Sequence, residues 1–377
     1  MKRISLTRSV VALAAIAVVV GACSGSATPS PSAAASVAPS VAPSVAASVA
    51  PSVAPSAAAK TYTIGVSYPT SNSPFWQAYL AFVNDGAKQL GITINAVSAD
   101  TSEQKQVADI QNLISQGVDG MIITPQSTAV APQELKLLSD AHIKVVVVDR
   151  YPGYDPGTHP DADYVAFLGP NDIQAGQGIA EALIAAGGDK ILALGGLNGS
   201  SVAEGRKTGL NQGIAAKNGT LVQYIAAGET VELGLSNAES MIQAHPAGTA
   251  NAFWCYNDNL CMGAIKAAKN AGRSADFKFG GMDLTPDAIT AISDGSYTVS
   301  FGGHWLQGGF GLIALYDALN GKAPKTAVVK LNLLQIDSSN VATFKAQYID
   351  NPPVYDFKQL SQVFNPAATG SFEITLK

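Results

Sequence analysis

The hydrophobic positions of this chain change spacing in a regular way. From Tyr62 onward, short runs rich in β-branched residues alternate with segments of helical length. Tyr62 to Val66, Thr93 to Val97, Gly120 to Thr124 and Lys144 to Val148 are nearly continuous apolar runs, as expected of strands buried on both faces of a parallel sheet. The segments between them, about Phe75 to Gln89, Glu103 to Gln116 and Ala131 to Ala141, are long enough to be the crossover helices that parallel strands require. Four βα repeats in succession predict a doubly wound α/β sheet.

A stretch rich in Gly, Pro and Asp from Pro152 to Asp163 reads as a loop. A second series follows, with strands expected at Tyr164 to Leu168, Lys190 to Leu194, Leu221 to Ala226, Ala250 to Tyr256 and Phe277 to Met282. Two series of similar size predict two lobes, and residues 60 to 377 are too many for one comfortable core. Each lobe carries its ligand-facing loops at the carboxyl ends of its strands, so two lobes face to face enclose a cleft.

The first 59 residues have a different pattern. Lys2, Arg3 and Arg8 precede an apolar run from Val10 to Val20 and then Gly21-Ala22-Cys23, the order of a secretory signal peptide. The cysteine resembles that of a bacterial lipoprotein box, so cleavage is expected after Ala22 and lipid on the Cys23 thiol. The apolar run is short for a membrane span, and the acyl chain would serve as the anchor. Residues 23 to 59 are almost wholly Ala, Ser, Val and Pro with a recurring Ser-Val-Ala-Pro, too little apolar bulk to offset the entropy of ordering, so a disordered tether is expected.

Removing residues 1–22 takes away three basic and no acidic residues, which moves the net charge from -5 to -8. An acidic chain without a basic cluster is a poor partner for nucleic acid. The scattered His142, His159, His245 and His304 give no metal spacing, and no cofactor is expected. Cys255 ends a strand-like run and Cys261 sits within a helical one, so two buried thiols are expected in preference to a bridge.

The polar residues just past the strands supply the candidate chemistry. Ser73-Pro74-Phe75-Trp76 follows the first strand and Asp149-Arg150 the fourth; Arg206, Asn257 and Asp283 follow strands of the second series. Aromatic faces cover the C–H side of a sugar ring, while carboxylate, guanidinium and amide bind its hydroxyls. Two adjacent large aromatics cannot both face one core, so at least one of Phe75 and Trp76 is expected in the cleft. Of Asn257 and Asp258, one is expected to cap the following helix and the other to face the cleft, with Asn257 assigned to the ligand. His304 follows two glycines and could reach the ligand or open the next helix.

In these motifs, together with Tyr256-Asn257-Asp258, Met262-Gly263-Ala264 and Gly281-Met282-Asp283, the chain resembles periplasmic solute-binding proteins of the ribose-binding type, which serve ABC sugar importers. The resemblance implies a type I periplasmic binding fold: two doubly wound parallel-sheet lobes joined by a three-strand hinge, with crossings near residues 165, 302 and 332. It places residues 60–165 plus 303–332 in the first lobe, and residues 166–302 plus 333–377 in the second lobe and tail. It implies ligand contacts at Ser73, Phe75, Trp76, Asp149, Arg150, Arg206, Asn257, Asp283 and His304. The family often has a glutamine beside the second hinge, where this chain reads Phe301-Gly302-Gly303-His304-Trp305, and an aromatic near Thr230-Val231-Glu232, where this chain has none.

The function expected is that of an exported, lipid-anchored monomer, outside the cell membrane or in the periplasm. It closes around one monosaccharide-like molecule and presents it to a permease driven by a separate ATPase, since the chain has no phosphate-binding loop. A ligand-sensing accessory protein for a membrane receptor or kinase is the alternative. An exported glycosidase using Asp149 and Asp283 is a weaker one, because Arg150 beside Asp149 favours a carboxylate over a general acid.

Overall fold

The computed structural model describes residues 60–370 and 372–377; the expected signal peptide of residues 1–22, lipidated Cys23 and tether to residue 59 lie outside them. The chain begins with β1 (Tyr62–Tyr68), α1 (Pro74–Leu90), β2 (Ile92–Ser98), α2 (Glu103–Ser115), β3 (Gly120–Ile123), α3 (Ala131–Asp140), β4 (Lys144–Val148) and β5 (Ala166–Pro170). It crosses to α4 (Asp172–Ala185), β6 (Lys190–Gly195), α5 (Ser201–Lys217), β7 (Thr220–Ala226), α6 (Val231–Ala244), β8 (Ala252–Cys255), α7 (Asp258–Asn270), β9 (Lys278–Met282), α8 (Pro286–Ser293) and β10 (Val299–Gly302). It then returns through α9 (Gln307–Leu319) and β11 (Val328–Leu331), and crosses again to β12 (Leu334–Asp337).

Two six-stranded sheets result, ordered β11-β5-β4-β3-β1-β2 and β12-β10-β9-β8-β6-β7. Every pairing is parallel except β10 with β12. The matching orders make the lobes topological repeats of one another. The apolar runs alternate between two buried faces, as the two-residue period of a strand requires. Met121, Ile123, Val145 and Val147 pack with Ile110, Leu113, Leu135 and Leu138 of α2 and α3, whereas Ile122, Val146 and Val148 pack with Tyr79 and Val83 of α1 and Phe310 of α9.

Local signals fix where helices begin. The side chains of Ser102, Asn171, Thr230, Asn257 and Thr285 each accept from the backbone N–H three residues on, satisfying an otherwise open donor of the first helical turn. In the second lobe α4 and α5 approach closely enough that a Cβ on Gly209 would lie 2.0 Å from the Ile173 carbonyl oxygen, and one on Gly176 the same distance from that of Arg206. Only glycine fits both positions, and the contact fixes the helix that carries Arg206.

Three sequence expectations need correction. The strand expected at Tyr164 to Leu168 to open the second lobe is β5 of the first sheet, with Ala166 beside Val146 and Phe167 beside Val328. An apolar run identifies a buried strand but not the sheet that receives it, and the crossing falls after Pro170, where Asn171 caps α4. The tail assigned to the second lobe also divides. Its short helix α10 (Val341–Phe344) contacts α8 and β12, but Tyr355, Phe357 and Phe372 then pack on Phe82 or Phe310 of the first lobe. The aromatic faces of α1 and α9 provide the seat. Finally, Cys255 and Cys261 form a disulfide, with Cα atoms 5.5 Å apart, because the turn capped by Asn257 folds the first turn of α7 back onto the end of β8.

Candidate functional site

The carboxyl ends of the two sheets face each other across a cavity of about 620 Å³, counting the space that opens to solvent. From the first lobe it is lined by Thr70, Asn72, Ser73, Phe75, Trp76, Thr101, Asp149 and Arg150. From the second come Arg206, Glu229, Thr230, Tyr256, Asn257, Asn259 and Asp283, and His304 joins them from the second crossing. Asp149 follows β4 and Asp283 follows β9, the equivalent strands of the two sheets. Both have positive φ, 65° and 120°, conformations that a non-glycine residue holds only at some cost.

Each arginine is buried and held by protein groups. Arg150 donates from Nη1 to the Gln126 backbone oxygen at 3.0 Å and from Nη2 to Glu229 Oε1 at 3.0 Å; its Nε lies 3.9 Å from Asp149 and makes no hydrogen bond among the described residues. Arg206 donates from Nε to Asp172 at 2.9 Å and from Nη1 to the Tyr256 carbonyl at 2.8 Å, and its guanidinium lies 4.4 Å from the centre of the Tyr256 ring. Glu229 is positioned through its backbone oxygen, which accepts from Asn257 Nδ2 at 3.1 Å and Asn259 Nδ2 at 3.4 Å.

The acids lie where burial works against their charge. Burial raises Asp149 despite Arg150 and the Gln307 amide, which donates to Oδ1 at 2.7 Å. It raises Asp172 to about 7 against the pull of Arg206, and Asp283 well above the carboxylate range. The Asp283 carboxylate accepts no hydrogen bond among the described residues; its nearest charged-type neighbour is His304 Nε2 at 3.6 Å. Burial and Arg206 hold His304 neutral, and its Nδ1 has no partner among the described residues. The imidazole lies 4.4 Å from the Phe75 ring, which in turn meets Trp76 edge to face at 4.9 Å.

The structure brings together all nine residues singled out from the sequence, Ser73, Phe75, Trp76, Asp149, Arg150, Arg206, Asn257, Asp283 and His304, around the one cavity. Phe75 and Trp76 both line it. The expected division between Asn257 and Asp258 does not hold. Asn257 both caps α7 through Oδ1 and lines the cavity, whereas Asp258 is fully buried and accepts from Thr285, Tyr297 and Ser300. His304 both lines the cavity and opens a short 3-10 turn. Sequence reasoning missed Glu229, Asp172 and Gln307. Glu229 stands beside the position where an aromatic was expected, and Gln307 lies one turn beyond the hinge position where a glutamine was sought.

Two α/β lobes joined by three crossings, with an aromatic and charged cavity between them, define a two-lobed small-molecule receptor. Residues 64–323 match the periplasmic binding protein domain family, and the chain belongs to that family, in its ribose-binding type. It is 29% identical over 238 residues to the ribose import binding protein of Bacillus subtilis, covering 62% of this chain and 74% of that one. It is 29% identical over 298 residues to a putative rhizopine-binding protein of Rhizobium meliloti, covering 75% of this chain and 95% of the relative. Among solved structures, the binding component of a Shewanella arabinose ABC transporter, bound to α- and β-L-arabinofuranose, is 26% identical with a TM-score of 0.71 and covers 76% of this chain and 96% of that one. These relatives are binding proteins. No described helix is long and apolar enough to cross a membrane.

Proposed function

We propose that this chain is the extracytoplasmic binding component of an ABC importer. It captures one monosaccharide-like molecule between its lobes and delivers it to a permease whose ATPase is a separate polypeptide. The observation that carries this reading is the composition of the cavity: Phe75 and Trp76 together with arginine, carboxylate and amide groups from both lobes. A ring with apolar C–H faces and polar hydroxyls at its edge matches that arrangement. The ligand contacts are assigned to Ser73, Phe75, Trp76, Asp149, Arg150, Arg206, Asn257, Asp283 and His304.

The same reading makes the protein a carrier and not a catalyst, exported, monomeric and held at the membrane by lipid on Cys23. Residues from both lobes line the cavity, so ligand favours the closed form, and a permease can then distinguish loaded from empty protein. Deletion of the gene tests the transport role. Uptake of the labelled ligand is expected to fall to background and to return with the wild-type gene but not with a Cys23→Ala variant lacking the anchor. Undiminished uptake after deletion, with loss of a transcriptional response to the ligand instead, would assign the protein to sensing.

A further inference from the structure

Beyond β12 the chain is fastened to both lobes and to the second crossing between them. Residues 338–377 lie wholly beyond residues 64–323, which match the family. On the second lobe α10, with Val341 and Phe344 buried, packs on α8 and β12. On the first lobe Gln89 of α1 brackets the tail, donating from Nε2 to the Tyr355 carbonyl at 3.0 Å and accepting from the Phe357 amide at 3.1 Å. The fit is close, since a Cβ on Gly86 of α1 would lie 2.3 Å from the Phe357 ring. Buried Asp317 of α9 then accepts from the Ser361 hydroxyl at 2.5 Å and the Gln362 amide at 2.9 Å. The last residues return to the crossing, where a Cβ on Gly303 would lie 3.0 Å from Cγ2 of buried Ile374. There the Tyr348 hydroxyl donates to the Thr375 carbonyl at 2.7 Å, and the Lys377 amide donates to Gln347 Oε1 at 3.0 Å. The Tyr348 ring stacks on Phe344 of α10 and meets Trp305 of the crossing edge to face at 6.5 Å.

The tail therefore forms a loop, joined to itself at residues 347–348 and 375–377, whose middle is fixed to the first lobe and whose root is fixed to the second. We infer that it is a strap across the hinge that stabilises the closed arrangement and sets how often the empty protein opens. Hinge rotation is absorbed at a few residues, and Gly303, with φ of 102°, is one that only glycine holds without strain. In this structure the lobes already touch through Arg150 and Glu229, and every attachment of the strap is made at the same time. Turning the second lobe away carries α10 and Tyr348 off from α1 and α9, so attachments on one side must break or shift. That cost falls on the open state alone and moves the equilibrium toward the closed one. The inference concerns the empty protein and holds whatever the cavity binds.

The test is small-angle scattering of the ligand-free protein, comparing wild type with a chain ending at Phe372. The shortened chain keeps α10 and the contacts of Tyr355 to Gln362, and loses Ile374 with the partners of Gln347 and Tyr348. Its open-to-closed ratio is expected to rise about tenfold, seen as a larger radius of gyration at a temperature well below its thermal midpoint. Ile374→Ala and Tyr348→Phe are expected to shift the radius the same way by less, and they carry the test if the shortened chain does not fold. Phe364→Ala is the comparison: it removes a ring stacked on Tyr316 of α9, a contact within the first lobe, and is expected to keep the wild-type radius. A wild-type or smaller radius in the folded shortened chain, or in both point variants where that chain does not fold, overturns the inference. So does an equal rise in Phe364→Ala, which would mark general loosening in place of a strap.

Discussion

Arg150 and Glu229 join the two lobes directly: Nη2 of the arginine, on the first lobe, lies 3.0 Å from Oε1 of the glutamate, on the second. The Thr128 amide donates to the Gly199 carbonyl across the same gap at 3.3 Å. Arg150 is almost wholly buried, so removing its partner leaves a guanidinium nitrogen without the acid it faces. Glu229→Ala is therefore expected to open the unliganded protein and weaken ligand binding by roughly 2 kcal/mol, or about thirtyfold. Small-angle scattering reads the first effect as a larger radius of gyration, and titration reads the second. An unchanged radius with unchanged affinity would show that the pair does not hold the cleft.

The close contact of α4 with α5 makes a different prediction. Gly209→Ala places a methyl carbon 2.0 Å from the Ile173 carbonyl oxygen and 2.6 Å from the Gln177 nitrogen, both backbone atoms of the facing helix. Separating the helices is expected to cost about 1–3 kcal/mol, seen as a lowered thermal midpoint. Because α5 also carries Arg206, affinity should fall with it.

Glu134 on α3 predicts a pH dependence. It is fully buried, neither carboxylate oxygen has a partner among the described residues, and burial, with Glu103 adding to it, raises its pKa to about 8. Its folded pKa lies above the ordinary value of 4.5, so the folded state holds the proton more tightly than the unfolded chain. The associated stability is complete below about 4.5 and is lost as pH rises toward 8, at roughly 1.4 kcal/mol per pH unit. Glu134→Gln is expected to flatten that slope in denaturant titrations between pH 5 and 8. An equal slope in both proteins would contradict the assignment.

The Cys255–Cys261 disulfide encloses the five residues from Tyr256 to Leu260. Tyr256 offers its carbonyl to Arg206 and its hydroxyl to Glu229 at 3.3 Å, so the bridge holds a segment of the cavity wall as well as the junction of β8 and α7. The double variant Cys255→Ser with Cys261→Ser is expected to lose about 2 kcal/mol of stability, a value suited to a short closed loop. It should also lose affinity at temperatures where it remains fully folded. Loss of stability with unaltered affinity would limit the bridge to the scaffold.

The strands and helices of the βα series were legible in the sequence because buried parallel strands are continuous apolar runs that few other structures need. Lys144 to Val148 coincides with β4, and Lys190 to Leu194 lies within β6. The hinge was less legible. β10, β11 and β12 are four-residue strands, too short to show a period, and nothing local told Ala166–Pro170 which sheet it joins. In the site, residues placed directly after an apolar run could be read from position alone. Glu229 and Asp172 could not, because what gives them meaning is their pairing with Arg150 and Arg206, 79 and 34 residues away. The disulfide was hidden for a similar reason: the turn that joins its cysteines depends on the Asn257 cap.

The proposed function requires one polyol-type ligand to be enclosed between the lobes by groups from both. The most direct test is titration calorimetry of the wild-type protein and the Arg206→Ala variant against a panel of monosaccharides, inositols and their amino derivatives. Saturable one-to-one binding of at least one compound is expected, weakened by about 3 kcal/mol or more than a hundredfold in the variant, whose buried acceptors at Asp172 and Tyr256 lose their donor. Binding of equal strength in both proteins, or no binding of any compound, would contradict it.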